Sequence, residues 1–458
     1  MGRTSGTSSR KIGLWIATSL VVGNMIGSGV FLLPASLAPF GGISILGWLF
    51  TSVGALMVAL LLARLGRMMP FAGGPYAFTR EGLGDLPAFL VAWGYWISIW
   101  SGNAAISLSF VGYMGVFFPP LSRVPTLGVG AALAAIWFLT AVNARGVREA
   151  GIVQLVTTIL KLLPLLAIGT LGLLYLEPAH FEPFNPSGRS PFSAITATAA
   201  LALWALLGLE SATIPADSVK DPRRTIPRAT IIGTLVTAGV YILATVGVMG
   251  ILPADTLGQS SAPFADAATR IWGGWAGSLI AAGAAISAFG ALNGWILLQG
   301  QMPLAVAKDS LFPQIFRGVS SRGTPVPGLV ISSLLITGLM SLNFTASLVD
   351  QFTFLILLAT ICTLIPYVFS AVSQLVIFVR DRERFSGERL VGPSVIAVMA
   401  LVYSLWAIVG AGRDTIFWGL LLLLAGVPFY WVQVRRRERQ SALGEADGSL
   451  QGPTAGRR

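Results

Sequence analysis

The stretch Gly23-Asn24-Met25-Ile26-Gly27-Ser28-Gly29-Val30-Phe31-Leu32-Leu33-Pro34 lies inside the first long apolar run of the chain. A membrane helix satisfies every backbone group by its own hydrogen bonds. Gly27-Ser28-Gly29 interrupts that pattern with residues that tolerate non-helical φ/ψ, so a helix can stop and restart there. A break in mid-bilayer is tolerated only where the freed groups are buried in protein or line a watery cavity. Freed amides and carbonyls suit a small zwitterion, the amides taking its carboxylate and the carbonyls its ammonium. Small residues also permit close helix–helix contact, and this stretch alone fits both readings.

The composition around it sets the class. Of 458 residues 54% are hydrophobic and 11% charged, with a mean hydropathy of +0.77. Soluble domains carry about 25% charged residues. Repeated apolar runs of about 20 residues fit helical spans rather than the short alternating strands of a barrel. The expected fold is therefore an all-α membrane protein. The first run is too long for a signal peptide and has no small-residue cleavage site, so it reads as a span. One cysteine, Cys362, excludes an intrachain disulfide, and with one loop histidine, His180, no Cys/His cluster exists. No metal and no cofactor is expected. An enzyme would need a nucleophile–base pair or a metal cluster, and a channel a continuous lining of polar rings; neither pattern stands out.

Apolar segments fall at 13–37, 43–63, 86–117, 125–143, 152–176, 194–216, 229–252, 273–299, 327–344, 350–379, 391–411 and 415–434, which predicts twelve transmembrane helices. They form one domain over 13–434, between an N-terminal tail (1–12) and a disordered polar tail (435–458). With both termini cytoplasmic, 25 of the 30 Lys and Arg fall on the cytoplasmic side and 4 on the other, with Lys161 inside a span. That asymmetry is what the positive-inside rule requires, so the net charge of +11 calls for no nucleic-acid partner. The loop from Glu177 to Phe192 is expected to cover the outer mouth, and Leu304 to Pro313 to form a short interfacial helix.

An internal repeat follows from the opening stretch. Span six carries Gly208-Leu209-Glu210-Ser211 and then Pro215, and the Gly-to-Pro spacing of seven residues equals that from Gly27 to Pro34. Spans one and six run in opposite senses, which makes a five-plus-five inverted repeat, about 13–176 and 194–379, with broken helices 1 and 6. Two Gly/Pro-interrupted helices at matching places in inverted halves point to a central site in a carrier. Two ionisable side chains fall mid-span, Lys161 and Glu210, and such residues are functional candidates by default. Glu210 adjoins the break, where it reads as a proton-responsive carboxylate or as a helix cap. Lys161 reads as a coupling group, a fixed cation in place of a sodium ion, or a structural lysine bonded to broken-helix carbonyls. Tyr95, Trp96 and Trp100 near Asn103, Trp204 before Gly208, Trp295, and Tyr367 after Pro366 add aromatic faces that can hold a cation or gate a path.

At these residues the chain resembles the amino acid–polyamine–organocation superfamily. The likeness is nearest to its bacterial antiporters for basic amino acids and their decarboxylated amines, arginine/agmatine exchangers foremost. It spans all twelve segments. It is densest at Gly23–Pro34, Gly73-Gly74-Pro75-Tyr76-Ala77, Trp100-Ser101-Gly102-Asn103, Trp204 to Val219 with Lys220-Asp221-Pro222-Arg223-Arg224, Gly294-Trp295, and Asp309-Ser310-Leu311-Phe312-Pro313. The resemblance implies that Ser28 and Gly29 hold a substrate carboxylate, and that carbonyls of Met25 or Ile26, Trp204 and Leu207 hold its α-ammonium. Trp204 would be an inner gate, and Tyr95, Glu210 and Tyr367 an outer one. Ser98, Asn103, Trp295 and Ala359 would line the side-chain pocket, Trp295 stacking on a guanidinium, and Tyr76, Lys161 and Glu210 would serve pH sensing or coupling. Ala359 stands where a relative has Ser, Ile99 and Ile106 replace Cys and Met, and Lys161 replaces Ala. These changes keep the zwitterion site and dry the distal pocket, which suits a guanidinium less because its five donors must be met.

The expectation is a secondary transporter of the bacterial inner membrane working by alternating access, exchanging a cationic amino acid for its decarboxylated amine. Proton-coupled uptake or exchange of neutral amino acids, with Lys161 in place of a sodium site, is the second reading. The partners implied are a small amino acid or amine and the lipid bilayer, with a homodimer allowed.

Overall fold

Apolar segments separated by Gly and Pro become helices separated by short turns. The computed structural model describes residues 13–26, 29–69, 74–145, 162–212, 219–321, 323–342, 346–385 and 389–437. Ser28, Lys161, residues 1–12 and residues 438–458 lie outside these residues, while 435–437 of the expected tail continue the last helix. Every regular element among the described residues is helical. The first helix, α1 (Leu14–Met25), ends just before the Gly27-Ser28 step, and α2 (Gly29–Leu37) begins just after it. Gly41, with φ +64°, turns the chain into α3 (Ser44–Met68). An added Cβ at Gly41 would lie 2.6 Å from Pro186, and Ile43 N–H bonds to Phe184 O at 2.8 Å. The long loop from Glu177 to Phe192 thus seats on this turn.

The chain continues through α4 (Gly74–Leu83), α5 (Asp85–Met114), α6 (Pro125–Ala144), α7 (Leu162–Tyr175) and α8 (Pro191–Ala205). Next come α9 (Pro222–Ile251), α10 (Pro263–Trp272), α11 (Gly274–Lys308) and α12 (Val326–Ser341). The last three are α13 (Leu348–Arg380), α14 (Val391–Gly410) and α15 (Arg413–Arg437). The apolar window of α13 is 72% buried and that of α15 only 17%, so α13 stands at the centre and α15 at the rim. A helix apolar all round belongs inside, whereas one exposing Phe417, Leu420 and Leu424 faces acyl chains.

Among the described residues seven helical stretches are long and apolar enough to cross a bilayer, against the twelve expected over the whole chain, and the first part of the expected span 152–176 lies outside the described residues. The difference has local causes. The breaks leave α1, α2 and α8 short, α2 and α3 run together through the Gly41 turn, and α12 has 16 residues. In α5, four serines with Asn103, Tyr and Trp lower the hydropathy of a helix of 30 residues. The expected interfacial helix at Leu304 is absent, because α11 continues through Pro303 to Lys308. At that point α12 packs backbone to backbone on α11: a Cβ at Gly328 would meet Gly300 Cα at 3.0 Å and Pro303 at 3.3 Å. This contact holds the proline-containing turn in line. The helix α9 starts seven residues before its apolar run because Pro222 suits the first helical position.

A second close contact sits between α7 and α9. A Cβ at Gly247 would fall 2.4 Å from the carbonyl oxygen of Ile168, which is backbone and cannot swing away. Gly247→Ala is expected to destabilise the protein by about 1–3 kcal/mol, as overpacking does. Thermal unfolding in detergent checks this, and an unchanged midpoint would show that the two helices separate freely.

Candidate functional site

Three contacts along α5 assemble the site. They run from Tyr95 to Asn103, about 12 Å of helix rise, and α5 packs against both α11 and α13. At the first, α8 ends at Ala205 and Leu206 and Leu207 turn the chain at Gly208, φ +99°. A short 3₁₀ turn, Leu209–Ala212, then presents Glu210. Tyr95 Oη donates to Glu210 Oε1 at 3.0 Å, and Tyr367 Oη donates to Oε2 at 2.8 Å. Backbone groups of Gly208 and Glu210 also bond to this carboxylate, which is 1% exposed. One carboxylate therefore joins α5, the broken end of α8 and α13.

At the second contact, Trp204 lies over Gly102: an added Cβ there would sit 2.8 Å from the indole Cη2. Glycine at 102 is thus what lets the indole approach α5.

At the third, Asn103 Nδ2 donates to Gln299 Oε1 at 2.7 Å. Gln299 Nε2 in turn donates to Leu329 O at 3.2 Å and Ser333 Oγ at 2.9 Å, and Ser333 shares a hydrogen bond of 2.7 Å with Thr140. These bonds fix which way both amides face. Asn103 Oδ1 is left buried with no hydrogen-bond partner among the described residues. A buried, oriented acceptor without a partner costs free energy unless a donor comes to it. It suits a cationic group.

The remaining predicted residues fall around this line. Met25 ends α1, but its carbonyl accepts from Tyr241 Oη at 2.6 Å, so Ile26 is the better donor of a carbonyl to an ammonium. Ile26 leaves the helix at φ −75°, ψ 74° and is fully buried. The expected break of span six is found at Leu206 to Gly208, slightly before the Gly208-Leu209 step, because Gly208 takes the positive φ that closes the turn. Ser98 Oγ donates to Tyr95 O at 2.8 Å and is engaged with its own helix. Half-buried Trp295 stands one turn before Gln299 on α11, and buried Ala359 two turns before Tyr367 on α13. Gly29 opens α2, placing that helix's amide end at the first break.

Tyr76 belongs to a separate cluster. It lies on α4 and donates to Asp309 Oδ2 at 2.7 Å, which Arg80 approaches at 3.4 Å. Arg80 and Arg437 each hold Asp85 at 2.9 Å, and Arg437 also bonds to the Asp309 carbonyl. Burial first, and then the bond to Asp309, push the Tyr76 phenol above its ordinary range. It stays a hydrogen-bond donor to Asp309 at any working pH.

Gln299 was not among the residues singled out from the sequence. Its signal was available: an amide in an apolar helix, four residues after Trp295 and so on the same face.

Comparison with known proteins shows the family. Residues 12–430 match a family model described as amino acid permease. The cadaverine/lysine antiporter of Escherichia coli (strain K12) is 34% identical, over 95% of this chain and 98% of that protein. A candidate arginine/ornithine antiporter of Bacillus subtilis is 33% identical, over 92% and 97%. A putrescine transporter of Escherichia coli (strain K12) is 30% identical, over 96% and 100%. Among solved structures, a manganese transporter mutant of Eremococcus coleocola aligns over 95% of this chain and 98% of its own, with TM-score 0.56 and 13% identity, a likeness of fold.

Proposed function

The chain belongs to the amino acid permease family of the amino acid–polyamine–organocation superfamily, and from that premise we propose that it exchanges a cationic amino acid for its decarboxylated amine. The pairs nearest to the reading are arginine with agmatine and, following the names of the relatives, lysine with cadaverine. It works in the bacterial inner membrane with twelve spans in a five-plus-five inverted repeat and both termini cytoplasmic. The Lys and Arg asymmetry of its loops supports that orientation.

The observation that carries the reading is the pair of helix ends at Met25–Gly29 and Ala205–Gly208, with Glu210 beside the second. The amide end of α2 at Gly29, with Ser28, takes the substrate carboxylate. The carbonyl ends of α1 at Ile26 and of α8 at Trp204 and Leu207 take the α-ammonium. Asn103 Oδ1, poised by Gln299, accepts from the distal cation, and Trp295 supplies a face for it. Because the amine lacks the carboxylate, both partners share the distal contacts and differ at α2. Trp204 and the Glu210–Tyr95–Tyr367 group close the two ends of the path in turn.

Counterflow in proteoliposomes loaded with arginine or lysine tests this, with agmatine, cadaverine, alanine and leucine outside. Saturable exchange with an amine is expected. Exchange with alanine and leucine alone would move the protein to neutral substrates and leave Asn103 and Trp295 as pocket walls. In the same assay Trp295→Ala should weaken cationic substrates about fivefold to thirtyfold, the range of about 1–2 kcal/mol of a desolvated cation–π contact. Unchanged affinity would remove that role.

A further inference from the structure

Five arginines outside the residues of the substrate site converge on one cavity. Arg64 and Arg67 near the end of α3, Arg223, Arg224 and Arg228 from the start of α9, and Phe385 beyond α13 enclose about 690 Å³. A second cavity of about 330 Å³ shares Arg64, Arg67 and Pro227 with the first. It continues along apolar side chains of the membrane-spanning parts of α3, α9 and α14, including Leu60, Ile231 and Ile396.

Positive-inside topology accounts for arginines on one face of the membrane. It does not account for their convergence around a hollow that continues as an apolar groove. Arg64 is half-buried, its guanidinium 5.2 Å above the Phe378 ring, which holds it in place at the junction of the two cavities. Among the described residues Asp221 meets Arg224 at 3.9 Å. The groove wall adds a second sign of a ligand. Gln374 is fully buried and donates to Pro393 O at 3.0 Å, but its Oε1 has no hydrogen-bond partner among the described residues.

We propose that this paired cavity binds one anionic glycerophospholipid of the phosphatidylglycerol type. The phosphate sits among the arginines, which offer forked donors to its oxygens. An acyl chain lies in the groove between α3 and α14, and a headgroup or glycerol hydroxyl donates to Gln374 Oε1. The site is separate from the exchange path and does not depend on which substrates the protein carries.

Native mass spectrometry of the purified full chain in detergent tests it with three probes: phosphatidylglycerol, phosphatidylcholine and inorganic phosphate. Two variants separate headgroup from groove. Substituting Arg223→Gln, Arg224→Gln and Arg228→Gln together changes only exposed side chains, and should lower phosphatidylglycerol affinity on the order of 100-fold while leaving phosphatidylcholine unchanged. Gly392 lines the groove, and an added Cβ there meets nothing within 4 Å. Gly392→Leu should therefore fill the groove and weaken phosphatidylglycerol about tenfold, with inorganic phosphate unaffected. Phosphatidylglycerol binding that survives the triple substitution overturns the proposal. So does binding of inorganic phosphate as tight as that of the lipid, with Gly392→Leu without effect on either; that result describes a soluble-anion site.

Discussion

Glu210→Ala should reduce exchange on the order of a thousandfold. Each of the two phenol bonds to a charged acceptor is worth about 1.5–3 kcal/mol, and both are lost at once. Together that is about 3–6 kcal/mol, each 1.4 kcal/mol being a factor of ten in rate. Tyr95 and Tyr367 would then face each other across a cavity with their hydroxyls unpaired. Glu210→Gln is the milder test. Its amide oxygen accepts from one tyrosine and the amide neither gains nor loses a proton between pH 5 and 8, so transport should persist at a reduced rate with a flattened pH profile. Initial rates of counterflow from pH 5 to 8 decide it. A profile unchanged in shape excludes Glu210 as the responsive group, and near-normal rates in the alanine variant exclude the carboxylate as a gate.

Gln299→Leu carries the second large effect. The substitution removes three hydrogen bonds and leaves the Asn103 Nδ2 group buried and unpaired, at a cost of about 1–3 kcal/mol. Freed of its partner, Asn103 no longer holds Oδ1 toward a cation. Affinity for cationic substrates should fall roughly tenfold to a hundredfold, with affinity for neutral amino acids less affected. Gln299→Glu keeps an acceptor for Asn103 and should recover part of the loss. Competition assays against labelled substrate measure the ratio. Equal weakening of cationic and neutral competitors would make Gln299 a packing residue alone.

The parts of the fold legible in the sequence were those written in composition and backbone freedom. Apolar runs located most of the long helices, and Gly27-Ser28-Gly29 located the first break, because few other residues leave a membrane helix so cheaply. Gly208 marked a break beside Glu210, although the turn begins two residues earlier, at Leu206, and the 3₁₀ turn that presents Glu210 was not legible. Helices set outside the long apolar runs were not legible. The helix α10 (Pro263–Trp272) buries one face, packing chiefly against α11, and a search for long apolar stretches passes over it. The close contact of Gly328 with Gly300 and Pro303, distant in sequence, was not legible either. The tyrosines, Asn103 and Trp204 were visible as residue types in a suspicious neighbourhood. The partner that orients Asn103 was not, since only packing of α5 against α11 brings Gln299 to it.

The cluster joining Tyr76, Arg80, Asp85, Asp309 and Arg437 differs from the Glu210 group in its surroundings. The side chains of Arg80, Asp85 and Asp309 are 38–40% exposed and that of Arg437 is 29% exposed, whereas Glu210 is 1% exposed. Mobile ions reach the first and not the second, and the Debye length shrinks to about 3 Å at 1 M salt. Ionic strength therefore acts as a selective solvent on this protein. Raising it slackens the attachment of the final helix to α5 and α11 and leaves the buried carboxylate and its two tyrosines at full strength, so salt loosens one fastening of the molecule while the other stays shut.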